Sequence, residues 1–203
     1  MRSLSPVLFL LLSFSAVAGA TEKPSDIRGI DFKNFSFPWD KKVAFADRST
    51  WHWIAWRPQT VVHVENGIRF FRETGQSDPH FGPRISVDTV VYGDLDGDGS
   101  EEAAVHLNYG TGGTQNWDYL YVYKLIDGRA KLIGLLVSGE RGDGGLVRSA
   151  IQNGSLVLDF ADPDRRVGDC CSEGYIRARY RWRDGAFVEE GPRERGDLDL
   201  GKH

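Results

Sequence analysis

The residues with the clearest chemical potential are carboxylates spaced two apart in one short acidic segment. Asp94, Asp96 and Asp98 occupy positions 1, 3 and 5 of a loop, where three side chains can converge on one hard cation. The backbone carbonyl of Ser100, at position 7, can join the same shell. Calcium takes oxygen ligands in a flexible geometry, and an oxygen-only site disfavours zinc and copper. The spacing therefore predicts a calcium site.

The acidic segment departs from an EF-hand, the helix–loop–helix calcium site, at its last ligand. An EF-hand needs a glutamate at position 12, and this chain has Val105 there. Glu102, at position 9, is the natural replacement, and Gly99 at position 6 permits the sharp turn. The apolar flanks favour a strand–loop–strand site. The alternative is an acidic hairpin that binds nothing, but four neighbouring carboxylates would repel one another, which favours a bound cation with a structural role.

The acidic segment resembles the calcium loops of FG-GAP and VCBS-type repeats, which have the form Asp-x-Asp-x-Asp-Gly-x-x-Asp/Glu. That resemblance implies that the ligand side chains are Asp94, Asp96, Asp98 and Glu102. The chain carries one copy of the motif, whereas a β-propeller is built from repeated blades. We therefore expect a single calcium loop inside another β architecture.

A longer stretch resembles the secreted domain of the LppP/LprE-type bacterial lipoprotein family. The matching parts are the acidic loop, the segment Cys170–Glu173, the following Tyr175–Trp182 and the turn Asp184–Phe187. The resemblance implies a cell-envelope setting, and the family has no established catalytic activity. This chain lacks the family's lipobox cysteine, so a lipid anchor is not implied.

Turn signals divide the chain from residue 60 onward into short strand-like runs. Four dipeptides suit type I′ turns, in which both central residues need a positive φ: Asn66-Gly67, Asp127-Gly128, Asn153-Gly154 and Asp184-Gly185. The runs are Val87–Tyr92, Glu102–Leu107, Tyr119–Ile126, Lys131–Val137, Leu146–Ile151, Leu156–Phe160, Tyr175–Trp182 and Phe187–Glu189. This pattern predicts a mainly β fold, an antiparallel meander that forms a sandwich or an open barrel with little helix.

The ends of the chain predict an exported protein. Arg2, an apolar run and the small residues Ala18–Ala20 have the form of a signal peptide over residues 1–20, with a retained membrane anchor as the alternative.

Residues 21–58 are predicted to be an irregular, aromatic-rich extension, 59–190 the β domain with the calcium loop, and 191–203 a flexible tail. No later segment is apolar enough to span a bilayer. We expect a periplasmic or secreted protein, and its net charge of −4 argues against nucleic-acid binding.

The chain's two cysteines are adjacent, and the sequence leaves their pairing open. In an oxidising compartment two cysteines usually pair, and adjacent ones can do so only as a strained ring. We expect this vicinal disulfide between Cys170 and Cys171, with intermolecular disulfides or free thiols as the alternatives. A metal site made by these two residues alone is not expected, because no other cysteine or histidine lies nearby.

The remaining motifs give weaker signals. The Gly-rich segment Gly110–Thr114 lacks the lysine of a phosphate-binding loop, and His106 in a strand is typical of a structural histidine. Trp51, Trp53 and Trp117 could stack on sugars, although aromatic core is the commoner use. We therefore predict a non-enzymatic exported module, stabilised by Ca²⁺, that binds an unknown protein or glycan ligand. The alternatives are an envelope hydrolase using loop carboxylates near the calcium site and a redox role for the cysteine pair.

Overall fold

The chain is mainly β throughout the residues that the structure describes. The structure is a computed structural model and describes residues 24–40, 43, 51–71, 82–168 and 171–198. The strands, numbered in chain order, are β1 (Ser36–Pro38), β2 (His52–Trp53), β3 (Val61–His63), β4 (Ile68–Phe70), β5 (Arg84–Gly93), β6 (Glu102–Gly110), β7 (Asn116–Ile126), β8 (Arg129–Glu140), β9 (Leu146–Gln152), β10 (Ser155–Ala161), β11 (Arg166–Val167), β12 (Cys171–Ser172), β13 (Gly174–Arg183), β14 (Ala186–Glu189) and β15 (Glu194–Asp197). Single 3₁₀ turns lie at Ile27–Gly29, Phe32–Asn34 and Pro163–Arg165. The prediction of a mainly β chain with little helix is confirmed.

Two larger sheets carry most of these strands. Six strands form one sheet in the order β2-β8-β7-β6-β5-β4, and its pairs are antiparallel. The second sheet has the order β14-β13-β10-β9, with β15 also pairing to β13, and it too is antiparallel. Two short pairs, β1 with β3 and β11 with β12, lie outside these sheets. The run from β5 to β8 is the predicted meander.

Four two-residue turns have the backbone conformation that the sequence predicted. Their first residues have positive φ: Asn66 (52°), Asp127 (54°), Asn153 (52°) and Asp184 (50°). Each is followed by a glycine whose φ is also positive: Gly67 (82°), Gly128 (71°), Gly154 (73°) and Gly185 (82°). Asparagine, aspartate and glycine tolerate this region with little strain, which is why these dipeptides close hairpins. The turns fix the register of the hairpins β7–β8, β9–β10 and β13–β14.

The two larger sheets pack face to face around one apolar core. The inner face of the large sheet contributes buried residues such as Ala104, Leu120 and Leu136, and the second sheet contributes Leu156 and Leu158. Strand residues alternate between the two faces of a sheet, so each strand supplies every second side chain to this core. This packing of two antiparallel sheets on a shared core is consistent with the predicted sandwich, and the sheets of the described residues do not close into a barrel.

A third layer covers the outer face of the large sheet. Phe37 is fully buried, and its ring lies 5.5 Å, centroid to centroid, from the ring of Tyr121. Trp39 packs edge-on against Tyr119 at 4.9 Å. The hydroxyl of Tyr121 donates to the carbonyl of Pro38 at 2.7 Å. The aromatic-rich segment before residue 58 therefore covers a second core of the fold.

The C-terminal segment contains a strand that the sequence did not predict. Residues 191–203 were expected to form a flexible tail, but Glu194–Asp197 forms β15 on the edge of β13. Arg195 contacts the carboxylates of Asp162 (3.2 Å) and Asp164 (2.8 Å), and Arg165 contacts Asp197 at 2.7 Å. These ion pairs and the strand hydrogen bonds hold Glu194–Asp197 on the edge of β13, a contact that the sequence did not predict. The predicted signal peptide, residues 1–20, and residues 199–203 lie outside the described residues.

Candidate metal centre

The acidic loop connects two central strands of the large sheet. It leaves β5 at Gly93 and enters β6 at Glu102, and these two residues are register partners. Leu95, inside the loop, is buried in the core between the two sheets. Because Leu95 is held there, the loop starts from a fixed position on the sandwich. The strand–loop–strand context predicted from the flanking residues is observed.

Three of the predicted ligand side chains converge. Asp94, Asp96 and Glu102 each offer one carboxylate oxygen, and these oxygens lie within 4.8 Å of one another. Glu102 is fully buried, whereas Asp98 and Ser100 are exposed. Convergence of oxygens at this spacing is what a hard cation such as calcium requires.

Backbone amides of the loop hold its carboxylates in place. Asp94 accepts hydrogen bonds from the N–H of Gly97 at 2.7 Å and of Gly99 at 3.0 Å. Asp98 accepts from the N–H of Ser100 at 2.8 Å. The φ angles of Gly97 and Gly99 are +78° and +87°, in a region that residues other than glycine rarely adopt. Each carboxylate oxygen has a second lone pair, so these hydrogen bonds leave acceptor capacity for a cation.

Lys124 of β7 lies among the loop carboxylates. Its register partner on β6 is Glu102, and its ammonium contacts Asp96, Asp98 at 2.7 Å and Glu102 at 3.4 Å. Desolvation lowers the pKa of Lys124, but the hydrogen bonds to Asp96 and Asp98 raise it more, to well above its usual range. Lys124 therefore supplies positive charge where the sequence predicted a metal ion. Contrary to the expectation from the sequence, the loop carboxylates need no metal ion to offset their mutual repulsion, because the ammonium of Lys124 lies among them.

The buried carboxylate of Glu102 is only partly satisfied. Its Oε2 accepts the N–H of Leu95 at 2.8 Å. Its Oε1 is buried and has no hydrogen-bond partner among the described residues, although the ammonium of Lys124 lies within ion-pair distance. Burial raises the pKa of Glu102, and the nearby charge of Asp96 raises it further. The hydrogen bond from the N–H of Leu95 and the positive charge of Lys124 lower the pKa and so oppose this rise. A buried acceptor with spare capacity of this kind could serve as a ligand to a cation.

The loop is also tied to other layers of the fold. Arg28, from the N-terminal layer, donates to Glu101 at 2.9 Å and lies over the ring of Tyr92 at 4.5 Å. On the other side, a Cβ placed on Gly93 would lie 2.5 Å from Ile151 of β9, so the second sheet packs directly on the loop's first strand. The loop therefore sits where the large sheet, the second sheet and the N-terminal layer meet.

A second group of titratable side chains lies on β5, β6 and β7. Asp88, His106 and Asp118 offer ligand atoms within 4.8 Å of one another, and this group is separate from the acidic loop. The Nε2 of His106 lies 2.9 Å from the Oδ1 of Asp118, and both side chains are buried. Burial lowers the pKa of His106, but the hydrogen bond and charge of Asp118 and the charge of Asp88 raise it more. The sequence suggested a structural role for His106 and did not anticipate the two carboxylates beside it.

An aromatic groove of about 340 Å³ lies between the β2–β8 edge of the large sheet and the β13–β14 hairpin. Trp53 and Phe187 stack at 4.2 Å, and a Cβ on Gly134 would lie within 2.9 Å of both rings. The indole N–H of Trp53 is buried without a hydrogen-bond partner among the described residues, and Trp56 is 38% exposed. The lining includes Trp53, Trp56, Arg57, Gly134, Trp182 and Phe187.

The other tryptophans singled out in the sequence have packing roles. Trp51 stacks on Phe160 at 4.1 Å inside the core between the sheets. Trp117 lies 6.1 Å from Tyr109 on the opposite face of the large sheet. Of the three predicted sugar-stacking candidates, Trp53 is the one that lines the groove.

The Gly-rich segment and the cysteines complete the predicted candidates. Gly110–Thr114 ends β6 and leads into β7, as the predicted wide turn does. At Gly112, a Cβ would lie 2.8 Å from the backbone of Gly82, so the two chain segments touch there. Cys171 lies in β12, and Cys170 lies outside the described residues. The vicinal disulfide therefore stays a prediction.

Comparison of the chain with protein-family models, with curated proteins and with solved structures found no match. The resemblances to FG-GAP and VCBS-type loops and to the LppP/LprE-type family therefore stay predictions.

Proposed function

We propose that this protein is an exported binding module of the cell envelope whose fold is stabilised by a calcium ion at the β5–β6 loop. The observation that carries the proposal is the convergence of Asp94, Asp96 and the buried Glu102, whose Oε1 has no hydrogen-bond partner among the described residues. Asp98 and the carbonyl of Ser100 would complete the oxygen shell. The signal-peptide pattern at the N-terminus supports export, where calcium is available at the concentrations that weak sites need.

The calcium ion has a structural role in this proposal. It would replace the ammonium of Lys124 as the positive charge at Asp96 and Glu102, and the flexible lysine side chain would move toward solvent. Glu102 accepts a hydrogen bond from the N–H of Leu95, and Leu95 is buried in the core between the sheets. Binding of the ion is therefore coupled to packing between the sheets. An ion in this place fastens the hairpin and its neighbours without taking part in a reaction.

The aromatic groove is the surface that best fits a ligand, and we assign it to a glycan. Its volume falls within the range of about 300–1,000 Å³ typical of small-molecule sites. Exposed aromatic rings such as Trp56 can stack on the apolar face of a sugar ring. The guanidinium of Arg57 lines the groove and donates one N–H to the carbonyl of Leu132, and its other N–H groups can donate to sugar hydroxyls. The combination of apolar rings with a polar donor favours a sugar over a purely apolar ligand.

Equilibrium dialysis with radioactive calcium tests the metal part of the proposal. The mature protein is expected to bind one Ca²⁺ with a dissociation constant of about 10⁻⁴–10⁻³ M, the range of extracellular modules. Asp96→Asn should weaken binding by at least about tenfold, because it removes a charged ligand. Asp184→Asn is the matched control, since asparagine also suits the positive φ of that turn residue. Equal binding by wild type and Asp96→Asn would show that the loop is not the site.

Tryptophan fluorescence tests the groove. We expect the emission of the protein to change on addition of an N-acetylglucosamine tetramer or of cellotetraose, and Trp56→Ala to weaken that response. Val61→Ala, which also removes an exposed apolar side chain but lies outside the groove, should leave it unchanged. If neither oligosaccharide changes the emission at millimolar concentration, the glycan assignment is wrong while the calcium site is unaffected.

A further inference from the structure

The second cluster is built by three neighbouring strands that each present one metal-binding side chain to the same place. Asp88 comes from β5, His106 from β6 and Asp118 from β7. The register between β5 and β6 shifts between Val87 and Thr89, so Asp88 lies at a β-bulge. A bulge re-aims a side chain relative to the regular alternation of a strand. Here the result is a third ligand atom within 4.8 Å of the other two.

A divalent cation would balance the charge that the cluster carries when His106 is a metal ligand. A metal-bound imidazole is neutral, so with both aspartates ionised the three ligands carry a charge of about −2, whereas in the ion-free protein a proton on His106 offsets the charge of Asp118. His106 and Asp118 are 6% and 4% exposed, so water screens little of this charge. Arg84 acts electrostatically on Asp88, the most exposed of the three. The negatively charged carboxylate of Asp88 therefore lies beside the buried His106–Asp118 pair.

We propose that Asp88, His106 and Asp118 bind a divalent transition-metal ion of the zinc class, at a site independent of the calcium loop. Ligand atoms about 2.1 Å from such an ion and about 90–109° apart are separated by about 3.0–3.4 Å. The observed separation between the His106 Nε2 and the Asp118 Oδ1 is 2.9 Å, so a small spread of two side chains admits the ion. Asp88 closes the third position.

The ligand types select the metal. An imidazole nitrogen suits zinc, nickel, copper and iron, whereas calcium and magnesium take oxygen ligands. The cluster therefore should not compete with the acidic loop for calcium. Three protein ligands also leave at least one coordination position for water or another molecule, as in zinc sites that are not purely structural.

The surroundings hold the ligands in position before any ion binds. The amide of Asn108 donates to the Asp118 Oδ1 at 3.0 Å, and Ser138 donates to the Asp118 backbone carbonyl at 2.9 Å. Ser86 donates to the Asp88 Oδ1 at 3.2 Å. Such partners restrict the orientation of ligating carboxylates and contribute to metal affinity. The site is therefore partly preorganised by β5, β6, β7 and β8.

Isothermal titration of the mature protein, prepared without a histidine tag and with its cysteines blocked, tests the proposal. With calcium in excess to occupy the loop, we expect one Zn²⁺ to bind. His106→Ala should weaken binding by at least about tenfold, and His63→Ala should leave it unchanged. Asp96→Asn should also leave it unchanged, so failure of this proposal is distinguishable from failure of the calcium site.

A second variant and a second measurement distinguish loss of the zinc site from misfolding of a variant. Asp88→Asn alters the exposed ligand and leaves the buried His106–Asp118 pair intact, so it should fold and still weaken zinc binding. Co²⁺ bound in place of zinc should give visible absorption bands that Asp88→Asn changes. If wild type binds no Zn²⁺, or binds it equally well after His106→Ala and Asp88→Asn, the cluster is a metal-free hydrogen-bonded pair and the proposal is wrong.

Discussion

At the scale of single residues, Lys124 lies where the proposed calcium ion would bind, and the two would compete for the same carboxylates. The ammonium contacts Asp96, Asp98 and Glu102, the side chains that the proposed ion would also use. Two cations cannot both occupy that space. Lys124 is thus an internal counter-ion of the loop carboxylates, and it would lower the affinity of the proposed site for calcium.

Replacement of Lys124 by methionine separates these two effects. Lys124→Met should destabilise the protein in chelator by about 1–3 kcal/mol, because the buried Glu102 loses its positive neighbour. It should also raise the affinity for calcium several-fold, because the competing charge is gone. Unfolding midpoints in chelator and calcium dialysis measure the two quantities. Lys33→Met, at an exposed residue of the Phe32–Asn34 turn, is the control and should change neither. A variant with weaker calcium binding would contradict this competition.

The His106–Asp118 pair gives the metal-free protein a specific pH dependence. The folded-state pKa of His106 is raised above its usual value of about 6.5 by Asp118 and Asp88, against the effect of burial. Its stabilising contribution is therefore complete below about pH 6.5 and is lost as the pH rises through the folded-state pKa. In chelator, the unfolding midpoint should fall over that interval. His106→Gln should flatten the dependence, and His63→Gln should preserve it; an unchanged slope in His106→Gln would refute the assignment.

The acidic loop could be located from the sequence because its carboxylates are close together in the chain. The spacing of Asp94, Asp96 and Asp98 is local, and so is the step to Glu102. Lys124 could not be predicted, because its contact depends on the register between β6 and β7. The Asp88–His106–Asp118 cluster depends on three strands and a bulge, so no short motif announces it.

At the scale of elements, Gly134 of β8 allows the aromatic groove to form. A Cβ there would lie 2.6 Å from the ring of Phe187 and 2.9 Å from the ring of Trp53. Gly134→Ala should therefore destabilise the protein by about 1–3 kcal/mol and weaken oligosaccharide binding, because the stacked rings must separate. Chemical denaturation and fluorescence titration measure these effects. Gly113→Ala is the matched control, since its nearest atom would be 3.7 Å away. Equal destabilisation by both variants would contradict the steric role of Gly134.

The hairpins were the most predictable elements of the fold. Asparagine or aspartate followed by glycine fixes a tight turn through local backbone preference alone, and all four predicted dipeptides have the required positive φ. The bulges at Asp88 and near Gly134 were not predicted, because they arise from how neighbouring strands fit together. Strand β15 was missed for the same reason, since its polar sequence is held by ion pairs to distant residues.

At the scale of the whole molecule, the N-terminal layer is part of the core. Phe37 is fully buried against Tyr121, so Phe37→Ala should cost about 3–5 kcal/mol of unfolding free energy. Val61→Ala, a substitution at a residue 66% exposed, should change the unfolding free energy by less than about 0.5 kcal/mol. Equilibrium denaturation compares the two. A small loss in Phe37→Ala would mean that the layer is a dispensable appendage.

The layered architecture was only partly visible in the sequence. Alternating strands and turn dipeptides predicted the antiparallel sandwich, because both signals repeat along the chain. The N-terminal covering layer has no regular hydrophobic period in its sequence. Its aromatic residues lie in short irregular segments, and their burial depends on how they pack against Tyr119 and Tyr121. Local patterns do not encode such a fit, so the sequence indicated an extension and not the second core.

The central claim, a calcium ion that fastens the sandwich at the β5–β6 loop, is tested most directly by thermal unfolding of the mature protein. In about 10 mM CaCl₂ the midpoint should lie about 3–10 °C above that in chelator, because an ion that binds only the folded state raises its stability. Asp96→Asn should lose this increase, and Asp184→Asn should keep it. An unchanged midpoint in wild type, or an equal rise in Asp96→Asn, would contradict the account.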